Sequence, residues 1–478
     1  MNSIKKNVVC QIAYQFLTIL LPLITSPYIA RVLGANGVGI YSYTFSIASY
    51  FVLFAKLGIH VHGNRAIAIV RDDPQKLNQT FSDLLAVHLG ASAISIFVYI
   101  GYVLVGNPAY RIIAAVQILY VVAEMLEINW LYFGLEQFKI TVTGNTVIKI
   151  GTLISIFLFI KDTADVWKYC MIMAVSAVLS EMIMWMFLHK YVKIVRPNWE
   201  NAKKQIIPLV GFFIPSIAVS LYKVMDKIML GMLSDTAQVG YYNNSEQIIS
   251  AALGFVTAVG SAMMPRMSNL AVNGNEKEGK KIIAISMKIV MLTVIAMAAG
   301  IIGVANIFAP VFWGNEFKAC SLLMQALALS MLFTSFANVI RTQYLIPKQK
   351  DKLFRYSVIA GACMNLIVNY LLIPHYQAFG AAIGTIAAES TVCLIQAIYA
   401  TKDLPITDYL KKLIPYTFFA AIMSFTVFII GNNMECSIRT FAIQILSGIG
   451  IYTILTGIYL YATKDELWTN IVDSIRKL

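Results

Sequence analysis

Apolar runs long enough to cross a bilayer recur along nearly the whole chain, separated by short polar stretches. They fall at roughly 8–30, 38–58, 80–105, 110–134, 141–160 and 167–189. After a basic stretch they resume at 206–233, 238–264, 282–308, 320–345, 354–374, 378–400, 413–431 and 438–462. A crossing needs about 20 mainly apolar residues. Inside hydrocarbon such a segment must satisfy its own backbone, so each run is expected to be a helix. The pattern predicts an all-α membrane protein with about fourteen spans, of which 38–58 and 206–233 are the least continuous.

Composition agrees. Of the 478 residues, 59% are hydrophobic and only 13% charged, with a mean hydropathy of +0.72. A soluble domain carries roughly a quarter charged residues, and this chain could not cover a core with so few. The formal charge of +13 would point to nucleic acid in a soluble protein. In a membrane protein the positive-inside rule takes precedence. Of the 37 Lys and Arg residues, 26 fall at the N-terminus, in the even-numbered connections and in the tail. That distribution puts both termini in the cytoplasm and removes the case for nucleic acid. The six cysteines are widely spaced among apolar neighbours and read as small hydrophobes. The first run is too long for a signal-peptide core and lacks an A-x-A site, so it reads as the first span.

The largest interior gap is basic and contains Pro197. It divides the chain into an N-terminal lobe of six spans (1–189), a cytoplasmic linker (190–205), a C-terminal lobe of six (206–401), two further spans (402–462) and an amphipathic tail (463–478). The halves resemble each other. Val38-Gly39-Ile40-Tyr41 returns as Val239-Gly240-Tyr241-Tyr242, each after a Leu-Gly pair, and Ala177 to Glu181 is echoed by Ile386 to Glu389. Span one holds Pro22 and Pro27, and span seven holds Pro208 and Pro215. Proline-interrupted helices at corresponding positions point to a transporter's moving core, which makes these four the hinge candidates.

Residues 20–31 (LLPLITSPYIAR) followed by 32–43 (VLGANGVGIYSY) resemble the opening of the bacterial polysaccharide transporter family. So do 129–139 (NWLYFGLEQFK), and 226–231 (DKIMLG) followed by 239–242. These are Wzx-type flippases of O-antigen, capsule and exopolysaccharide repeat units, within the multidrug/oligosaccharidyl-lipid/polysaccharide (MOP) superfamily. The resemblance covers nearly the whole chain, including the six-plus-eight layout. One departure is Ala66 after Arg65, where the family often has an acidic residue. The resemblance implies transport of undecaprenyl-pyrophosphate-linked oligosaccharide from the cytoplasmic to the outer leaflet by alternating access. It implies the bacterial inner membrane as the site, and membrane lipids, a polysaccharide polymerase and a chain-length regulator as further partners. Spans thirteen and fourteen would cradle the lipid tail.

Charges within spans are costly and mark function or pairing. Lys223, Asp226 and Lys227 share one helical face and would line a cavity for an anionic ligand, or form a local cluster near the interface. Lys149 and Arg31 are candidate phosphate contacts, with Arg31 equally readable as an anchor at the outer interface. Glu124 and Glu127, at i and i+3, cannot both ionise cheaply when desolvated together, which suits coupling to a proton or Na+; the alternative is that Glu127, near Trp130 and the inner interface, is simply solvated. Glu181, Glu246 and Glu389 are each the lone acid of their span, open equally to pairing with a partner and to a part in transport. His60 and His62 form an HxH in a loop without a third metal ligand, and no metal or organic cofactor is expected. No phosphate-binding loop for ATP is visible. A drug/cation antiporter or lipid II flippase is the competing transporter. A polymerase or glycosyltransferase is the competing enzyme, disfavoured because the outer connections are only about a dozen residues long.

Overall fold

The computed structural model describes residues 2–465, without the side chains of 2–17, 19–20, 214–216, 218–219 and 221–223. The amphipathic tail expected at 463–478 therefore lies outside the described residues from 466 onward. Among the described residues fourteen α-helices follow one another. They are α1 (Asn2–Lys56), α2 (Ile59–Val70), α3 (Pro74–Val105), α4 (Arg111–Met125), α5 (Asn129–Gly134), α6 (Phe138–Phe159) and α7 (Val166–Leu188), then α8 (Trp199–Leu233), α9 (Thr236–Val272), α10 (Glu276–Trp313), α11 (Ala319–Ile340), α12 (Asp351–Ala400), α13 (Ile406–Asn433) and α14 (Ile438–Ala462).

Every apolar run becomes helical, but runs and helices do not correspond one to one. The first two runs share α1, whose break is the single residue Gly34 (φ 70°, ψ 177°), a conformation that glycine alone adopts cheaply. Runs eleven and twelve share α12, broken at Gln377 (φ 52°, ψ −130°). The fourth run, expected to be continuous, is cut into α4 and α5. His60 and His62 lie on α2 and not in a loop.

Eleven helical stretches among the described residues are long and apolar enough to cross a membrane, and two of them, Leu21–Val70 and Asp351–Ala400, run for 50 residues. At 1.5 Å per residue those two are about 75 Å long, enough for two crossings each. Phe97 is 78% exposed, Val105 89% and Phe425 66%. Each such side chain would gain about 1.5–3 kcal/mol by leaving water. Hydrocarbon is the solvent this surface suits, and the protein is a multi-pass membrane protein.

The helices gather into two units, divided between Gly240 and Tyr241. In the first, α1 packs on α3, α4, α6 and α8, α4 on α7, and α2 on α5. Its core includes Ile67, Phe81, Leu84, Trp130 and Tyr132, all fully buried. Asp73 starts α3 by accepting the amides of Gln75 and Lys76, with Pro74 in the first turn where no amide is needed. Asn198 caps α8 in the same way. The repeated Val-Gly pairs meet each other: a Cβ on Gly39 would lie 1.6 Å from the Thr236 carbonyl oxygen, and one on Gly240 would lie 2.1 Å from that of Ala35.

In the second unit α10 contacts α11, α13 and α14, and α11 packs on α12. The GxxxG at Gly380 and Gly384 closes the two arms of α12 on each other, since a Cβ at Gly384 would collide with the Asn369 side chain. One end of this unit is tied by polar contacts. Lys348 Nζ sits 3.1 Å from Glu276 Oε1 and 3.1 Å from Asp403 Oδ2, and the Tyr344 hydroxyl donates to Asp403 Oδ2 at 2.6 Å. The hydrogen bond from Tyr344, then Lys348, holds the Asp403 carboxyl below the usual carboxylate range. A group with a lowered folded pKa contributes stability above its unfolded value, near 4, and loses it as pH falls through the folded one. Asp403 is 39% exposed, which keeps the contribution under about 1 kcal/mol. Asp403→Asn should therefore lower the melting temperature by about 1–2 °C at pH 7. That difference should shrink as pH falls below the usual carboxylate range and through the lowered pKa of Asp403, as thermal melts in detergent would record.

Candidate functional site

The break between α4 and α5 builds a site. Where a helix stops inside the bilayer its last carbonyls lose their partners and must find others. Three side chains meet that need: His88 Nε2 hydrogen-bonds the Glu124 carbonyl at 2.7 Å, the Trp185 indole donates to the Leu126 carbonyl at 2.7 Å, and the Trp130 indole donates to the Glu127 carbonyl at 3.2 Å. With the backbone satisfied, the Glu124 and Glu127 side chains are held inside the first unit, 7% and 6% exposed.

Around them the fold adds groups from other helices. Lys56 ends α1, and the next two residues, Leu57 (φ 42°) and Gly58 (φ 78°), turn the chain into α2. This places Lys56 Nζ 3.3 Å from Glu124 Oε2 and His60 Nδ1 3.9 Å from Glu127 Oε1. Glu127 Oε1 also accepts the Asn129 amide at 2.9 Å. The Asn129 side chain donates at 2.9 Å to Glu181 Oε2 on α7. Glu181 interacts electrostatically with Glu124, Glu127 and Lys56. Three carboxyls thus share one lysine and an imidazole. Glu124 Oε1, Glu127 Oε2 and Asn129 Oδ1 are buried with no hydrogen-bond partner among the described residues. All three are acceptors, and buried acceptors are rarely left unpaired. The arrangement can hold a proton or a small cation.

Glu181, for which pairing with a partner was one of two open readings, takes Asn129 as a partner, and Lys56 is the member that sequence reasoning missed. Its signal was available: a charge at the edge of a span where Glu124 carries the opposite one. The contacts of this cluster include none of Arg31, Lys149, Asp226 and Lys227. Asp226 on α8 is buried, 2% exposed, and Lys227 beside it is half-buried. The side chains of Lys223 and Pro215 lie outside the described residues. Lys149 Nζ on α6 donates to the Thr18 hydroxyl at 2.8 Å, and Arg31 on α1 is exposed. Pro22 and Pro27 sit within α1 and Pro208 within α8.

The second unit holds an apolar groove of about 500 Å³. Its wall is formed chiefly by α10, α13 and α14, through residues such as Met297, Gly300, Met423, Val427, Ile445 and Ile449. It is the right chemistry for a hydrocarbon chain and the wrong one for a sugar.

Residues 4–271, more than half of the chain, match the polysaccharide biosynthesis protein family. The chain belongs to that family. Within its reach is a putative O-antigen transporter of Shigella dysenteriae, 24% identical over 396 residues, an alignment covering 82% of this chain and 98% of that protein. Among solved structures, the lipid II flippase MurJ in an inward closed conformation is 15% identical. It superposes with a TM-score of 0.77, covering 95% of this chain and 99% of that one. An inward-facing multidrug resistance MATE family transporter of the MOP superfamily, also 15% identical, gives a TM-score of 0.65 over 82% and 96%. At such identities the likeness is one of fold. This family member has the all-helical architecture shared by those transporters.

Proposed function

We propose that the protein is a flippase for lipid-linked oligosaccharide, moving undecaprenyl-pyrophosphate-linked repeat units from the cytoplasmic to the outer leaflet of the bacterial inner membrane by alternating access. The observation that carries the reading is the groove on α10, α13 and α14. A protein that only moved small ions or sugars would not need an apolar groove of this size. A polyprenyl-linked sugar does, because its tail stays in hydrocarbon while its hydroxyls, each costing several kcal/mol if dehydrated without a partner, cross in a polar environment. Family membership and a relative named as a putative O-antigen transporter support it. We place both termini in the cytoplasm from the distribution of Lys and Arg. Transport is coupled to H+ or Na+ bound among Glu124, Glu127 and Glu181. A polysaccharide polymerase and a chain-length regulator would act on the delivered product.

Gly300 faces the groove, and a Cβ there would meet only the Met423 methyl, at 4.0 Å. Gly300→Phe should fill the groove with little strain. In a strain lacking the native gene, the wild-type chain should restore surface polysaccharide. Gly300→Phe should reach the membrane at normal levels yet leave uncleaved lipid-linked repeat units facing the cytoplasm. If the deletion itself leaves the distribution of those units unchanged, the reading is wrong.

A further inference from the structure

A second cavity, of about 340 Å³, lies nearer one end of the same three helices, α10, α13 and α14. Its lining is of another kind: Lys288, Lys412, Tyr409, Tyr416, Tyr459 and Asp465, with a few aliphatic side chains. Lys288 is mostly buried and pairs with the Asp465 carboxylate. Its ammonium also lies 5.9 Å from the centre of the Tyr416 ring, which meets Tyr459 edge to face. Tyr416 is 1% exposed, yet its hydroxyl has no hydrogen-bond partner among the described residues. Lys412 is exposed and forms no ion pair among the described residues. Two cations and an unused phenolic donor thus face one carboxylate.

The relation to the apolar groove defines the ligand. From Lys288 to Ala296 on α10, from Tyr416 to Met423 on α13, and from Tyr459 back to Tyr452 on α14, seven or eight residues separate the polar cavity from the groove. At 1.5 Å per residue that is about 10–12 Å on each helix. A cationic, tyrosine-lined cavity followed along the same helices by an apolar groove matches a molecule with an anionic head and a long hydrocarbon chain. Phosphate oxygens can accept from Lys288, Lys412 and Tyr416 together, which a single carboxylate cannot do as well.

We propose that this cavity is a binding site for the phosphate head of a lipid whose chain runs toward the groove. Asp465 stands in for that phosphate on Lys288 and is displaced when the lipid binds. The site stands whether or not the transported substrate is the one proposed above. Its phosphate can come from a phospholipid or from a polyprenyl phosphate.

The test uses the delipidated full chain in detergent, with lipid counted by native mass spectrometry. One dioleoylphosphatidylglycerol should bind per chain with a measurable affinity, whereas dioleoylglycerol and inorganic phosphate should not compete with it. Lys412→Gln, at an exposed position that leaves folding alone, should weaken binding about fivefold, and Lys288→Gln by a similar factor. Asp465→Asn should strengthen it. Displacement by equimolar undecaprenyl phosphate would assign the site to the polyprenyl carrier, and failure to displace would assign it to phospholipid. If the Lys288→Gln/Lys412→Gln double variant binds phosphatidylglycerol as tightly as wild type, or if dioleoylglycerol binds equally well, the proposal is overturned.

Discussion

Lys56→Met should leave little folded protein in the membrane, and adding Glu124→Gln should bring much of it back. Removing one partner of a buried ion pair costs about 3–5 kcal/mol because the other charge stays behind. Lys56 is 37% exposed and reached in part by solvent, so the lower end of that range applies. The remaining charge would be worse than usual here, since Glu127 and Glu181 share the same lysine. Neutralising Glu124 in the same chain removes the carboxylate that Lys56 contacts directly, so the double variant should refold. It should not recover transport that depends on an imposed ion gradient. Membrane abundance and monodispersity on gel filtration report the first effect. Uptake into vesicles with a pH or Na+ gradient reports the second. Full ion-dependent transport in the double variant would show that the cluster is structural only.

The second large effect is expected at Gly39. A Cβ there would sit 1.6 Å from a backbone carbonyl oxygen, about half the distance at which atoms touch, and a backbone oxygen cannot rotate away. Gly39→Ala must push the start of α9 off α1 and disturb the hydrogen bond from the Thr236 hydroxyl to Asn36. Overpacking costs about 1–3 kcal/mol where side chains can adjust, and it should exceed that where they cannot. Gly240→Ala, facing the Ala35 carbonyl at 2.1 Å, should behave alike. Gly101→Ala on α3 is the control, because nothing lies within 4 Å of its Cβ. It should be neutral or slightly stabilising through helix propensity. Thermal melts of the three variants would check the order, and a normal melt for Gly39→Ala would refute the close approach.

Much of the architecture was legible because lipid imposes a simple rule on sequence: about 20 apolar residues in a row, again and again. What that rule cannot show is a break that leaves hydropathy untouched. The cut between α4 and α5 is of this kind. Its carbonyls are satisfied by His88, Trp130 and Trp185, which come from three different elements, so no local pattern announces it. The same holds for the candidate site. Glu124 and Glu127 could be paired from their spacing alone. Lys56 and Glu181 reach them only through the turn at Leu57 and Gly58 and the packing of α4 on α7. The Val-Gly repeat was visible as a repeat, but nothing in the two strings said that the copies would touch.

Gly34 carries a mechanical consequence. The first two crossings are joined by one residue, so the whole articulation between them is two torsion angles and no loop. A loop of several residues can absorb a change of angle by many small rotations. Here any change must be taken at Gly34 itself, or by bending the helix at Pro22 or Pro27, which lie twelve and seven residues before it. A joint with so few degrees of freedom transmits movement with little slack. When the first crossing tilts, the second, with Lys56 at its far end, is obliged to respond.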